Sequence, residues 1–209
     1  MNDFLDCGAI LLAGGKGTRL GFDKPHVRIG SRTLLQRVID AAENLSDEVV
    51  LVVGSDEESL SSYEEKHPSI TVVRDSRNGV GPMMGIYTGM KRLTTHYSVV
   101  LPCDAPFISV PLMKRVMMLA KDSDAAIPIW PNQYLEPLHS VYRISPSIKA
   151  IEAALNLGEK SVLDMIRRLE RINYVPVEAL REFDSELNTF FNVNYPEDLK
   201  TANEIQSSY

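Results

Sequence analysis

Five short runs rich in aliphatic residues recur along the first two-thirds of the chain: Gly8–Leu12, Glu48–Val53, Ile70–Val73, Ser98–Leu101 and Ala125–Ile129. Strands that are apolar at nearly every position, rather than at alternate ones, are buried on both faces. The segments between them have helical period. Thr33–Asn44 opens with Thr33-x-x-Gln36, a capping-box pattern, and places Leu34, Leu35, Val38, Ile39 and Ala42 on one broad face. Asp56–His67 is polar and ends before Pro68, while Pro82–Leu93 begins with proline at the first helical position. Ser109–Lys121 has Ser109 as cap and Val110, Met113, Val116, Met117 and Ala120 facing inward. This alternation predicts a three-layer α/β fold: a mainly parallel sheet with helices on both faces, joined by right-handed connections.

The last third reads differently. Pro137–Tyr142 and Ile172–Val177 are strand candidates. Ser145–Leu155, with Ser145 as cap and Pro146 in its first turn, and Ser161–Leu169 are helix candidates. Phe190–Asn194 precedes Pro196-Glu197-Asp198-Leu199, a helix start with two acids at its positive end. No linker, repeat or low-complexity stretch interrupts the chain. It reads as one domain over 1–209, with a ligand-binding part over about 1–130 and a part over about 131–209 that adds to the same sheet and closes over the site.

Composition narrows the function classes. The net charge of −6, without a lysine- or arginine-rich block, excludes an extended nucleic-acid-binding face and leaves room for a small anionic ligand. The two cysteines, Cys7 and Cys103, form neither a disulfide framework nor a metal-ligand spacing, which points to a reducing compartment. Met1–Asp6 lacks the order of a signal peptide, and no apolar run approaches the ~20 residues of a membrane helix. A cytoplasmic protein without membrane association is expected. The four histidines are scattered without metal-ligand spacing.

The chemistry concentrates after the first strand. Leu12, Ala13, Gly14, Gly15, Lys16, Gly17, Thr18 and Arg19 are followed by Gly21, Asp23, Lys24 and Pro25. Glycines without side chains, many free N–H groups and three cations (Lys16, Arg19 and Lys24) suit a phosphate cradle. The segment fails the Walker A pattern, and it fails the dinucleotide fingerprint at Leu20, where the third glycine is required. Asp104, in Leu101-Pro102-Cys103-Asp104-Ala105-Pro106, follows an apolar strand. A carboxylate at a strand end opposite a phosphate loop suits Mg²⁺, which takes one or two carboxylates plus phosphates and water; a turn aspartate before Pro106 is the alternative. Asp75 follows the third strand and reads either as a ligand contact or as a surface turn. Gly81, Gly85 and Gly89 share a helix face; Gly85 and Gly89 read as close packing, Gly81 as a place for a ribose to approach a helix start. Asn192 and Asn194 would share one face of a strand and complete a polar or metal site, with helix capping by Asn194 as the alternative.

Together these residues resemble the molybdenum cofactor guanylyltransferase family. The resemblance rests on Leu12 to Gly15, Arg19, Leu20-Gly21, Asp23-Lys24, Gly81 to Gly85, Cys103 to Pro106, Pro137-Leu138, Val141-Tyr142 and Asn192 to Leu199, and so runs along nearly the whole chain. Lys16-Gly17-Thr18-Arg19 is closer to sugar-nucleotide and cobinamide-phosphate relatives, and Pro25-His26 departs from the molybdenum family.

The resemblance implies a Rossmann-like nucleotidyltransferase fold of the nucleotide-diphospho-sugar transferase type. It also implies transfer of GMP from GTP to the phosphate of a molybdopterin-type acceptor, with release of pyrophosphate. On that basis Leu12 to Gly17, Lys24, Asp75, Gly81 and Asp104 bind nucleotide. Arg19 neutralises the departing pyrophosphate, Lys24 sits at the α-phosphate, Asp104 anchors Mg²⁺, and Asn192 and Asn194 make second-rank contacts. Molybdenum-insertion or molybdoenzyme assembly proteins are the implied partners. A phosphosugar or cobinamide phosphate acceptor, or a non-catalytic GTP-binding module, are the competing readings.

Overall fold

A seven-stranded sheet runs through the middle of the molecule in the order β5-β4-β1-β6-β8-β7-β9. In this computed structural model the described residues are 5–13, 26–54, 63, 65, 67–75 and 81–207. The strands are β1 (Cys7–Ala13), β4 (Val49–Val53), β5 (Thr71–Arg74), β6 (Tyr97–Pro102), β7 (Ala125–Ile129), β8 (Ser140–Arg143) and β9 (Ile172–Pro176); β2 (Arg28–Ile29) and β3 (Arg32–Thr33) form a separate small hairpin. β5, β4, β1 and β6 are parallel, as are β7 and β9, and β8 runs antiparallel between β6 and β7. The expected mainly parallel sheet is therefore present, with one reversed strand that its length alone did not announce.

Both faces of the sheet are covered, as the continuous apolar strands require. Ala9, Leu11, Leu51, Val53, Val99 and Leu101 face a layer containing α1 (Leu34–Glu43) and α3 (Val110–Leu119). Ile10, Val50, Val52 and Val100 face α2 (Pro82–Met90), α4 (Ile144–Asn156) and α5 (Val162–Ile166). Successive residues of one strand thus serve two cores, following the period of two.

The local signals operate where they were expected. Thr33 Oγ1 accepts from the Gln36 N–H at 3.1 Å, and Gln36 Oε1 accepts from the Thr33 N–H at 2.9 Å. Ser109 caps α3, and Pro82 begins α2. Gly85 and Gly89 let α2 approach the sheet: a Cβ on Gly89 would lie 2.6 Å from Ile10 Cγ2.

Four expectations in the second half are corrected. β8 begins at Ser140 rather than Pro137, because Glu136 and His139 close a turn first (His139 N–H to Glu136 O, 3.0 Å). The helix expected over Ser145–Leu155 starts at Ile144 without a side-chain cap: β8 turns straight into it, and the Ile144 N–H is taken by His96 O at 2.9 Å. The helix expected over Ser161–Leu169 spans only Val162–Ile166, with Ser161 as its cap rather than its first residue. Phe190–Asn194 is not a strand; a 3-10 turn at Asn188–Phe190 leads into residues without sheet partners. Most of the helix expected over 56–67 lies outside the described residues; Tyr63 within it is helical and buried.

Asp124 ties the lower ends of three strands together. Its carboxylate accepts from the N–H groups of Glu170 (3.2 Å) and Arg171 (3.0 Å), and its carbonyl accepts from the Arg143 N–H at 2.8 Å. Burial pushes the carboxyl pKa up, but the two N–H groups and the Arg171 guanidinium outweigh it and hold the pKa below its ordinary value. A depressed folded pKa contributes stability above the unfolded pKa, and this is lost as pH falls through the folded value. Urea unfolding at pH 7 and at pH 3 is expected to show Asp124→Asn destabilised by about 1–2 kcal/mol at pH 7, with the gap to wild type narrowing at pH 3. An equal gap at both pH values would count against the linkage.

Candidate active site

The chain order reverses at β1. From β1 the chain proceeds through β4 to β5 on one side, then returns to place β6 on the other. In open α/β sheets, ligands bind at such a reversal, beyond the carboxyl ends of the strands. The carboxyl ends of β1 and β6 lie level: Leu12 pairs with Pro102, and the Cys103 N–H donates to Leu12 O at 3.1 Å. Leu12 and Ala13 therefore stand directly beside the segment that carries Asp104.

Asp104 is half-buried, one residue beyond the buried Cys103. Its carbonyl accepts from the Val193 N–H at 2.8 Å. This contact brings Asn192 and Asn194, about 90 residues further along the chain, to either side of the residue facing Asp104. They flank it from an irregular segment, not from one face of a strand. Asn192 Nδ2 donates to Phe190 O at 3.3 Å, while Asn192 Oδ1 is buried without a hydrogen-bond partner. At the start of the final helix, α6 (Pro196–Ser207), the Asp198 carboxylate reaches back and accepts from the N–H groups of Asn194 and Tyr195, both at 2.8 Å. An acid in the first turn also suits the positive end of the helix.

Asp75 and Gly81 occupy the other side of the reversal. The Asp75 N–H donates to Val53 O at 2.9 Å, so Asp75 sits level with the end of β4, and its Oδ1 accepts from Thr88 Oγ1 of α2 at 3.4 Å. Gly81 has φ 81° and ψ −164°, a conformation essentially reserved for glycine, and a Cβ there would meet nothing within 4 Å. It opens the first turn of α2 at the edge where Leu12 and Asp104 lie, and the N-terminus of such a helix favours anions. Gly14, Gly15, Lys16, Gly17, Arg19 and Lys24 lie outside the described residues; the chain leaves β1 at Ala13 and re-enters at His26 on this edge.

A small apolar cluster sits under this edge. Ile29, Leu34, Val193 and Ala202 pack with Val27, Phe107, Phe191 and Leu199. It joins the β2–β3 hairpin, the residues after Asp104, the asparagine segment and α6. Sequence reading missed this role, because four distant segments contribute to it and none shows a periodic signal alone. Among the described residues there is no group of three or more His, Cys, Asp or Glu able to hold a metal by themselves. No described helix is long and apolar enough to cross a membrane.

Known proteins share this arrangement. The MobA-like NTP transferase domain family matches residues 9–172. A protein of Methanosarcina mazei named probable molybdenum cofactor guanylyltransferase is 36% identical over 197 residues, covering 92% of this chain and 88% of that protein. A protein of the same name from Methanothermobacter thermautotrophicus is 34% identical over 203 residues, covering 94% and 98%. The crystal structure of molybdopterin-guanine dinucleotide biosynthesis protein A from Archaeoglobus fulgidus superposes with a TM-score of 0.83 at 31% identity, covering 97% of this chain and all of that one. The 2-C-methyl-D-erythritol 4-phosphate cytidylyltransferase of Thermus thermophilus, at 18% identity and a TM-score of 0.70, shares the fold. The reversal of strand order and the likeness along nearly the whole chain lead to one assignment: the chain belongs to the MobA-like NTP transferase family.

Proposed function

We propose that the protein transfers GMP from GTP to the phosphate of molybdopterin, forming the guanine dinucleotide and releasing pyrophosphate. Names of relatives similar along most of their length support the donor and the acceptor. The observation that carries the reading to particular residues is the Asp104–Val193 backbone contact, which ties the residue at the end of β6 to the segment of Asn192 beside the reversal of strand order. In the reaction, an oxygen of the acceptor phosphate bonds to the α-phosphorus of GTP. The bond from the α-phosphorus to the bridging oxygen breaks, and that oxygen leaves with pyrophosphate. Such transfer depends on positioning and charge neutralisation more than on covalent help from the protein.

In this reading the segment from Leu12 to Gly17 holds the nucleotide, and Gly81 admits it to the start of α2. Lys24 neutralises the α-phosphate and Arg19 the leaving pyrophosphate. Asp75 contributes on the nucleotide side. The donor types fit Mg²⁺: the half-buried carboxylate of Asp104 and a buried amide oxygen of Asn192 that lacks a hydrogen-bond partner are both hard oxygen donors, on two segments joined by the Val193 N–H to Asp104 O bond. Asp104 and Asn192 would hold the ion, which when bound supplies charge neutralisation at the phosphate oxygens.

The test is pyrophosphate release with each nucleoside triphosphate against molybdopterin, a hexose 1-phosphate and cobinamide phosphate, with Mg²⁺ or EDTA. Release with GTP, molybdopterin and Mg²⁺, abolished by EDTA, is the expected result. Release only with another acceptor would overturn the molybdopterin assignment. A GTP-dependent rise in melting temperature without release for any acceptor would leave a binding module.

A further inference from the structure

Beyond the end of β7 the chain turns through Trp130 to Glu136 and returns in β8. The β6–β8 pairing ends at Val100 and Ser140, and His139 immediately precedes Ser140 at that end of β6, the end that leads to Asp104. His139 is 1% exposed, yet neither ring nitrogen has a hydrogen-bond partner. Its Nδ1 lies 3.6 Å from Glu136 Oε2, beyond hydrogen-bond length. The other carboxylate oxygen, Oε1, accepts from Trp130 Nε1 at 2.7 Å. Phe190 meets both rings edge-on, at 5.8 Å from Trp130 and 5.3 Å from His139. Trp130, Glu136, His139 and Phe190 therefore form a closed ring of contacts between the 130–139 turn and the asparagine segment. The ring continues to the site: Phe190 O accepts from Asn192 Nδ2, and the next N–H, of Val193, donates to Asp104 O.

An imidazole buried without a hydrogen bond is unfavourable for stability, and an apolar side chain of similar volume would serve the core at least as well. A local rule broken in this way, next to a reaction site, marks function more often than packing. If nucleotide occupies the β1–α2 side of the reversal, the second substrate is left the side over β6, β8 and β7, where this ring sits. We propose that His139 is a positioning residue for the acceptor: through Glu136 and Phe190 it holds the 130–136 turn and the Asn192 segment as one wall of the acceptor side. This rests on the guanylyl-transfer reading above and assigns the acceptor side within it.

The experiment compares wild type, His139→Leu, His139→Asn and Trp130→Phe as full-length proteins. Pyrophosphate release is measured with GTP varied at fixed molybdopterin and with molybdopterin varied at fixed GTP, alongside thermal melts. His139→Leu is expected to melt at or above the wild-type temperature, to keep the GTP KM within about twofold, and to raise the molybdopterin KM roughly tenfold. His139→Asn, which restores a donor toward Glu136, should recover most of that loss. Trp130→Phe keeps the ring contact, loses the N–H to Glu136 and should raise the same KM; it decides the matter if His139→Leu does not fold. An active wild type with unchanged molybdopterin KM in the folded variants overturns the proposal alone. So do equal rises in both KM values with a lowered melting temperature, which mark a purely structural role. A wild type that uses GTP but not molybdopterin overturns the functional reading and this proposal with it.

Discussion

Asp104→Ala is expected to lower guanylyl transfer by roughly 10³-fold or more while the melting temperature stays within a few degrees of wild type. The two halves of this expectation rest on different atoms. The carboxylate stands at the carboxyl end of β6 beside the reversal of strand order, and in the proposed mechanism its loss leaves Asn192 to hold the metal without it. The structural tie of this residue to the asparagine segment runs instead through its main-chain carbonyl, which accepts from the Val193 N–H and which alanine retains. Steady-state pyrophosphate release in saturating Mg²⁺, with a melt of the same sample, separates the two. A rate within tenfold of wild type would remove Asp104 from the metal site. A collapse of the melt would make it a structural aspartate. Asp104→Asn, similar in shape but uncharged, should be nearly as inactive if charge neutralisation is its role.

Gly89→Val should destabilise the protein by about 3 kcal/mol, lowering the melting temperature by roughly 6–12 °C. A Cβ at this position would lie 2.6 Å from Cγ2 and 3.0 Å from Cδ1 and Cγ1 of Ile10. Ile10 is fully buried in the central strand, and its branch at Cβ leaves Cγ2 little freedom to move. The helix must therefore rise from the sheet. Because the same helix begins at Gly81 on the active-site edge, the displacement should also weaken GTP binding. Gly89→Ala carries the same clash but gains about 1 kcal/mol in helix propensity, so its net cost should be smaller. Denaturant unfolding of the two variants tests the order; equal stability of Gly89→Val and wild type would show that the contact yields. A milder loss is expected at Gly85, where the nearest atom is the far end of the Leu12 side chain at 3.0 Å.

These effects show which parts of the molecule were legible in advance. The near-continuous apolar runs of β1, β4 and β6 require cover on both faces, and the three-layer architecture follows from that alone. Thr33 and Ser109 mark helix starts by local hydrogen bonds that need no distant partner, and each is found in its capping place. Asp104, Asp75 and Gly81 could be named because strand ends and helix starts at a topological reversal are where such sheets bind ligands. Where local signals compete with sheet geometry, the reading shifted: Ser145 was displaced from the cap of α4 because β8 hands its last residue directly to the helix.

The ring around His139 had no comparable signal. Its members come from the end of β7, the turn before β8 and the segment before Asn192, and an isolated histidine among apolar residues reads as core until its neighbours are known. The same holds for the entry to α6, where only the path of the chain shows the Asp198 carboxylate taking the N–H groups of Asn194 and Tyr195.

By itself, then, the sequence determined the layers of the fold, most helix starts and the identity of the carboxylate at the β6 edge, because hydrophobic period, capping and strand-end placement are local properties. The reversed direction of β8, the joining of Asn192 to Asp104 through Val193, and the burial of His139 without a hydrogen bond were decided only by tertiary structure. They depend on hydrogen bonds and packing between residues far apart in the chain, whose geometry no local pattern encodes.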